Sequence, residues 1–163
     1  NNRLAFAPDG SLWVGQTDHG WAGAEGVQRI VFTGAQPMDV YNMNLTTKGF
    51  DLTFTQAVDD QTALDTSSYS FTRYYYDYYK KDETEPVDKS IQMDVKQIPV
   101  TGIEISADGK RVSLALEDLK PGYIYELKLN NIKSDRGKPL ANTLVCYTLN
   151  NLKDTTAHAV GRK

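Results

Sequence analysis

Apolar and polar residues alternate with a period of two over much of the chain, and turn-forming residues interrupt the alternation. Phe50, Leu52 and Phe54 fall on one face of an extended segment, and the residues between them are polar. The same alternation returns in residues 111–117 and 123–130. A strand with one buried and one solvated face has this pattern, and antiparallel sandwiches are built from such strands. The chain is therefore predicted to be all-β.

The region after residue 36 carries the signature of a sandwich. Short predicted strands are separated by turns rich in Gly, Pro and Asp, and one helical turn within residues 57–66 has Asp59 or Asp60 as its cap. No long segment has the 3.6-residue period of a helix, so an immunoglobulin-like sandwich is favoured. The predicted strands are residues 39–45, 50–56, 68–76, 91–98, 103–106, 111–117, 123–130 and 143–150.

The first 36 residues have a different character. Two predicted strands flank the turn Pro8-Asp9-Gly10, and Asp-Gly between alternating runs is a strong hairpin signal because Gly tolerates positive φ. A Gly-rich connection then leads to a third predicted strand, residues 27–33. The predicted organisation is strands in residues 1–36, a sandwich domain in 37–152 and a flexible tail in 153–163.

Composition excludes some classes of protein but does not identify a function. The chain has 163 residues, of which 40% are hydrophobic, and this is ordinary globular composition. A net charge of −3 with dispersed Lys and Arg argues against nucleic acid as a partner, and no apolar run is long enough to span a membrane. The chain opens at Asn1 without a signal pattern and is read as an excised or processed form. Cys146, the single cysteine, lies in an apolar run and is expected to be buried and inert.

Several motifs in a fixed order carry a family resemblance. They are RLAFAPDGSLWVG at residues 3–15, GVQRIV at 26–31, GFDLTFTQAVD at 49–59 and YTLN at 147–150. This order resembles the C-terminal region of secreted bacterial β-propeller proteins of the glucose/sorbosone dehydrogenase-like, haem-domain-associated type. In that region the last propeller strands precede an immunoglobulin-like module. The stretch LKPGYIYEL at residues 119–127 also resembles bacterial immunoglobulin-like modules in general.

The resemblance implies a context and no catalytic residue. It implies a secreted or periplasmic protein whose upstream propeller would be the partner of this chain. The quinone cofactor, the calcium ion and the catalytic His of such dehydrogenases belong to propeller loops upstream. A c-type haem would need Cys-x-x-Cys-His, which a chain with one Cys lacks. No cofactor or metal is therefore expected here.

The loop of residues 17–23 is the first candidate binding site. Trp21 could stack on a sugar ring, and Asp18 or His19 could hydrogen-bond to its hydroxyls. The alternative is that Trp21 fills the junction between the propeller strands and the sandwich. His158, the other histidine, is in the tail, so no pair of histidines has the spacing of metal ligands.

A block of tyrosines is the second candidate. On an extended strand Tyr74, Tyr76 and Tyr78 face one way, and Tyr75 and Tyr79 face the other. One set would belong to the core, and the other would form an exposed row able to bind carbohydrate or protein. Alternatively both rows are covered, one by the core and one by the loop of residues 80–90.

The sequence contains no recognisable catalytic or calcium-binding motif. Asp59, Asp60 and Asp65 lack the spacing of a calcium loop, and no Gly-x-Ser-x-Gly elbow is present. The favoured function is a non-catalytic structural or docking module of a larger secreted sugar-dehydrogenase-like protein. The first alternative is a carbohydrate-binding module, and the second is a hydrolase with perturbed carboxylates. Residues 3–7, as a strand with a free edge, are expected to pair with the sandwich or to form a homodimer.

Overall fold

The computed structural model describes residues 3–16, 26–81 and 90–153, the side chains of residues 16, 78–81 and 90 excepted. The chain forms two compact units, Asn1–Gln36 and Pro37–Lys163. Both are built from antiparallel strands, so the predicted all-β class is confirmed.

The first unit is a three-stranded antiparallel sheet with the strands in chain order. The predicted hairpin is confirmed, because Gly10 takes a φ of +79° in the turn and its N–H donates to the carbonyl oxygen of Ala7 at 2.9 Å. The third strand ends before the predicted residue 33. The strands are β1 (Arg3–Phe6), β2 (Leu12–Gln16) and β3 (Gly26–Ile30).

The second unit is a sandwich of two four-stranded antiparallel sheets. Its strands are β4 (Val40–Leu45), β5 (Gly49–Phe54), β6 (Tyr69–Lys81), β7 (Ser90–Ile98), β8 (Val100–Ile105), β9 (Arg111–Leu116), β10 (Tyr123–Leu129) and β11 (Leu144–Leu149). One sheet has the order β4-β5-β9-β8 and the other the order β11-β10-β6-β7. With the strands lettered in chain order, these are the ABED and GFCC′ sheets of an immunoglobulin-like sandwich.

A buried tyrosine ties β10 to the turn that precedes it. Tyr125 is fully buried, and its hydroxyl accepts a hydrogen bond from the backbone N–H of Lys120 at 2.8 Å. Gly122 has a φ of +82° in that turn, a backbone conformation that favours glycine. A tyrosine near the start of strand F that bonds back to upstream backbone is a hallmark of immunoglobulin-like sandwiches.

The core lies where the inner faces of the two sheets meet. Phe50 on β5 is fully buried, and its ring centroid lies 5.8 Å from that of Phe71, 5.5 Å from that of Tyr125 and 5.2 Å from that of Tyr147. These three partners belong to the opposite sheet, so one ring joins the two layers. The period-two alternation that predicted the strand places Phe50 there.

Two short helical turns connect β5 to β6, and aspartates cap both. Asp59 caps α1 (Asp60–Ala63), because its carboxylate accepts the N–H of Thr62 at 2.9 Å. Asp65 caps the 3₁₀ turn Thr66–Ser68 in the same way. Their hydrogen bonds lower the pKa of both carboxyl groups. The predicted helical turn is confirmed, with Asp59 as its cap.

The prediction that Cys146 is buried is wrong. Val145, Tyr147 and Leu149 point to the core from β11, so the alternation of the strand turns Cys146 outward, where it is exposed. Partial desolvation, and then the charge of Glu126 on β10, raise the pKa of the thiol. The apolar run misled the prediction because an edge strand buries one face only.

Candidate functional site

The long strand β6 carries the tyrosine block and divides it between two faces. Tyr74 pairs with Ile124 of β10 on the outer face of the sheet, whereas Tyr75 follows Arg73 on the inner face. Beyond Tyr74, β6 continues in pairing with β7 alone as far as Lys81. The sheet therefore narrows to a two-stranded ribbon at this end.

Tyr74 and Tyr76 do not form an open stacking surface. Tyr74 is only 4% exposed, and its ring meets that of Tyr76 edge-on at 5.3 Å. Its hydroxyl donates to Glu126 Oε2 at 3.2 Å. Desolvation, together with the interactions with Tyr76 and Glu126, raises the pKa of Tyr74 well above its ordinary value. The ring is thus a covered element of the outer face.

Among the tyrosines of the block whose side chains the structure describes, Tyr75 is the most exposed. It is 37% exposed, and its ring stands perpendicular to that of Tyr123 with the centroids 5.4 Å apart. The Tyr123 hydroxyl donates to Asp94 Oδ2 at 2.9 Å. The two rings and the carboxylate form a small mixed surface at the base of the β6–β7 ribbon.

Beneath that surface lies a buried arginine. Arg73 occupies a core-facing position of β6 and is only 1% exposed, although its side chain is charged. Its Nη1 donates to the carbonyl oxygen of Asp118 at 2.8 Å and to Asp118 Oδ2 at 3.1 Å. Its guanidinium carbon lies 4.8 Å from the centroid of the Tyr123 ring, which is a cation–π distance. We call Arg73, Tyr75, Asp94, Asp118 and Tyr123 the Arg73 cluster.

Backbone geometry aims the two carboxylates of the cluster. Asp94 has a φ of +50° and Asp118 a φ of +55°, both in the left-handed region that few residues other than Gly adopt. Asp94 lies in a bulge of β7, where the register against β6 shifts between the partners of Arg73 and Tyr75. Bulges of this kind redirect a side chain, and here the carboxylate comes within 4.0 Å of Arg73 Nη2.

The surroundings of Asp118 and Arg73 favour the charged form of both side chains. The hydrogen bond from Arg73, aided by the charges of Lys120 and Lys96, lowers the pKa of Asp118 against the effect of desolvation. Burial works against the charge on Arg73, but its bonds to Asp118 and Tyr125 outweigh that effect and raise its pKa. Arg73 Nε is buried without a hydrogen-bond acceptor among the described residues. Because the Arg73 side chain is buried, its donors are not accessible to an anionic ligand in solvent.

An open depression of about 340 Å³ lies on the outer face of the other sheet. Ala115 and Gly102 are directly opposed there, with Asp51, Ser113 and Glu104 along one side. It has polar side chains and no aromatic ring in its lining. No group of three or more metal-ligating side chains occurs among the described residues.

The remaining predicted site residues have no geometry in this structure. Asp18, His19 and Trp21 lie outside the described residues, and so does the side chain of Tyr78. Their roles stay predictions. The sequence reasoning missed Arg73, Asp118 and Tyr123, although one signal was present. Arg73 shares the alternation of Tyr69 and Phe71, which marks a charged residue at a core position.

Comparison with known proteins gives a fold likeness and no family. No family model matches the chain, and no curated protein is significantly similar to it. Three solved structures match over 72% of this chain, with TM-scores of 0.51 to 0.52 and identities of 21% to 24%. They are the N-terminal part of the bacterial S-layer protein SbsC, the S-layer protein rSbsC, and domains 1 to 6 of the surface layer protein SbsC.

The matches concern small parts of long chains. The aligned region covers 24% of the first of those chains and 14% of each of the other two. At this level of identity the likeness shows the fold alone. None of the helices in the described part of this chain has the length and apolarity needed to cross a membrane.

Proposed function

We propose that the chain is a non-catalytic structural module of a larger secreted or cell-surface protein. The observation that carries the proposal is the likeness of its fold to parts of S-layer structures, each match covering 24% or less of the longer chain. A fold that matches a small part of a long surface-layer chain suits a building unit of a longer protein. The predicted glucose/sorbosone dehydrogenase-like parent stays a prediction, as does the periplasm.

The chemistry of the described side chains agrees with a structural role. Hydrogen bonds in turns and helix caps, or from Arg73, lower the pKa of five aspartates, which are therefore carboxylates at neutral pH. They are Asp9, Asp59, Asp65, Asp108 and Asp118. A general acid or a hydrolase dyad needs a carboxyl group whose pKa is raised. Arg73, the most buried charged residue among those described, joins β6 to the connection that precedes β10.

A self-contained module should fold without its neighbours. We expect residues 37–153, produced separately, to unfold in one cooperative transition at the melting temperature of the sandwich in the whole chain. Scanning calorimetry of both chains measures this, with Phe50→Ala as the control that removes the ring joining the two sheets. A separate sandwich that is molten or unfolded would contradict the proposal, because the unit would then depend on the preceding strands.

Carbohydrate binding is the second candidate, and one observation favours it. Tyr75 offers an exposed ring beside Asp94 and Tyr123, and tyrosine faces flanked by carboxylates suit the hydroxyls and C–H faces of sugars. Titration with soluble oligosaccharides, followed by amide NMR shifts, separates the two functions. Shifts centred on Tyr75 and lost in Tyr75→Ala would favour the binding module over the purely structural one.

A further inference from the structure

The strand β3 ends where its partner strand ends. Ile30, the last residue of β3, lies opposite Leu12, the first residue of β2. Before Leu12 the chain turns back toward β1, so β3 has no strand to pair with beyond Ile30. Val31, Phe32 and Thr33, which the alternation predicted as part of the strand, therefore lie outside it.

Residues 31–37, which we call the connecting segment, join the two compact units and have no secondary structure. All seven residues are exposed. Among the described residues, no backbone–backbone hydrogen bond involves residues 31–35. A Cβ added to Gly34 would meet no atom within 4 Å, so the space around the backbone is open there.

The state of the backbone distinguishes Phe32 from other exposed aromatic residues. Phe6, Phe32 and Tyr41 are exposed to nearly the same extent, at 78%, 75% and 77%. Phe6 pairs with Leu12 in β1, and Tyr41 lies in β4 between the paired residues Val40 and Asn42. Of the three, Phe32 is the one outside a strand. An endoprotease holds several substrate residues in an extended conformation, which an exposed unpaired segment can adopt and a paired strand resists.

We propose that the peptide bond between Phe32 and Thr33 is a processing site for an endoprotease that prefers a large apolar residue on the amino side of the cut. Hydrolysis consumes one water molecule and breaks the C–N bond. Phe32 becomes a terminal carboxylate and Thr33 a terminal ammonium group. The residues present determine the class of protease, because the connecting segment contains no Lys, Arg, Asp or Glu and its large side chains are Val31 and Phe32.

Cleavage at this bond breaks the covalent connection between the two units without cutting a strand. The strands β1, β2 and β3 precede the bond, and β4 to β11 follow it. The contacts described for the Arg73 cluster and for the core of the sandwich also lie after it. The sandwich is therefore complete in the fragment that begins at Thr33. The proposal concerns the connection and goes beyond the structural role proposed above.

Limited digestion of the whole chain with chymotrypsin, followed by mass spectrometry of the intact fragments, tests the proposal. We expect the first cut after Phe32, which gives fragments 1–32 and 33–163. It should be at least about tenfold faster than cuts after Phe6 or Tyr41, because those strands must open before they are cut. Phe32→Ser should abolish the cut. Tyr41→Ser, which removes an equally exposed ring from a strand, is the matched control and should leave the cut unchanged.

A second variant separates the side chain from the backbone. In Phe32→Arg, trypsin should cut after residue 32, a bond that it leaves intact in the unchanged chain, and the chymotrypsin cut should be lost. Far-UV circular dichroism before digestion checks that each variant keeps its strands.

Two results would overturn the proposal. A first chymotrypsin cut elsewhere, whether after Trp21 or within a strand, would mean that the connecting segment is not the preferred site. A Phe32→Arg chain that trypsin leaves intact after residue 32 would mean that the backbone there is inaccessible. Neither result would bear on whether residues 37–153 fold separately, which calorimetry measures.

Discussion

Arg73 Nη1 lies 2.8 Å from the carbonyl oxygen of Asp118 and 3.1 Å from its carboxylate Oδ2. The contact joins the middle of β6 to the connection between β9 and β10, so it links the two sheets at one end of the sandwich. Because Tyr123 covers the guanidinium and binds Asp94, the same contact also holds the base of the β6–β7 ribbon. The buried charge of Arg73 therefore has a structural role, because it connects these segments of the sandwich.

Removing the carboxylate of Asp118 alone should destabilise the sandwich more than removing the charges of Asp118 and Arg73 together. Asp118→Asn leaves the buried Arg73 guanidinium without its main counter-charge, whereas Arg73→Met with Asp118→Asn removes the buried charge as well. We expect the single variant to have the lower melting temperature of the two. Glu104→Gln, an exposed change of the same kind, is the control and should be neutral. A double variant that is less stable than Asp118→Asn would contradict this account of the cluster.

Acid should weaken the sandwich through Asp118. The folded pKa of Asp118 lies below its ordinary value of 3.8, chiefly because of the hydrogen bond from Arg73. The unfolded state therefore binds the proton more tightly, and stability falls as the pH drops from about 3.8 through the lower folded value. Urea unfolding between about pH 6 and pH 2 measures this loss. The slope should be shallower in Asp118→Asn, and an unchanged slope would show that other carboxyl groups account for it.

The hydroxyl of Tyr125 should contribute measurably to stability. Tyr125→Phe keeps the ring in the core but leaves the Lys120 N–H without its acceptor. A lost buried hydrogen bond of this kind costs about 1 to 2 kcal/mol. Tyr41→Phe is the matched control, because Tyr41 is exposed on β4. Equal free energies of unfolding for the two variants would argue against the role given to this hydroxyl.

Gly49 should be intolerant of any side chain. A Cβ at this position would collide with the carbonyl oxygen of Leu114 on the neighbouring strand β9. Since backbone must move to relieve the clash, Gly49→Ala should cost about 3 kcal/mol or more, at the upper end of overpacking penalties. Gly102→Ala makes only an ordinary contact of 3.5 Å with Ala115 and should be nearly neutral. Thermal unfolding of the two variants gives the comparison.

Alternation was sufficient to predict the fold because each sheet buries one face. Phe50, Leu52 and Phe54 were assigned to the core from their spacing, and all three are buried. The same alternation, through Val145, Tyr147 and Leu149, turns Cys146 outward. Local composition was the poorer guide, since an apolar run does not reveal which face of an edge strand is covered.

The candidate site was harder to predict because it depends on contacts distant in sequence. Arg73 and Asp118 meet across 45 positions of the chain. Asp94 and Asp118 have a positive φ, and the sequence does not indicate this because glycine is the residue that marks such positions. The tyrosine block drew attention to Tyr74 and Tyr76, yet Glu126 on a neighbouring strand covers the first. Exposure of individual rings followed from strand pairing, which single-sequence patterns do not specify.

The most direct test of the structural role is a thermal-shift screen of the whole chain against mono- and oligosaccharides, with Tyr75→Ala and Trp21→Ala alongside. A ligand at 100 times its Kd adds about 2.7 kcal/mol to the free energy of unfolding, which is readily visible. The structural account predicts an unchanged melting temperature with every sugar. A rise that Tyr75→Ala or Trp21→Ala abolishes, while that variant alone remains folded, would contradict it and establish a carbohydrate-binding module.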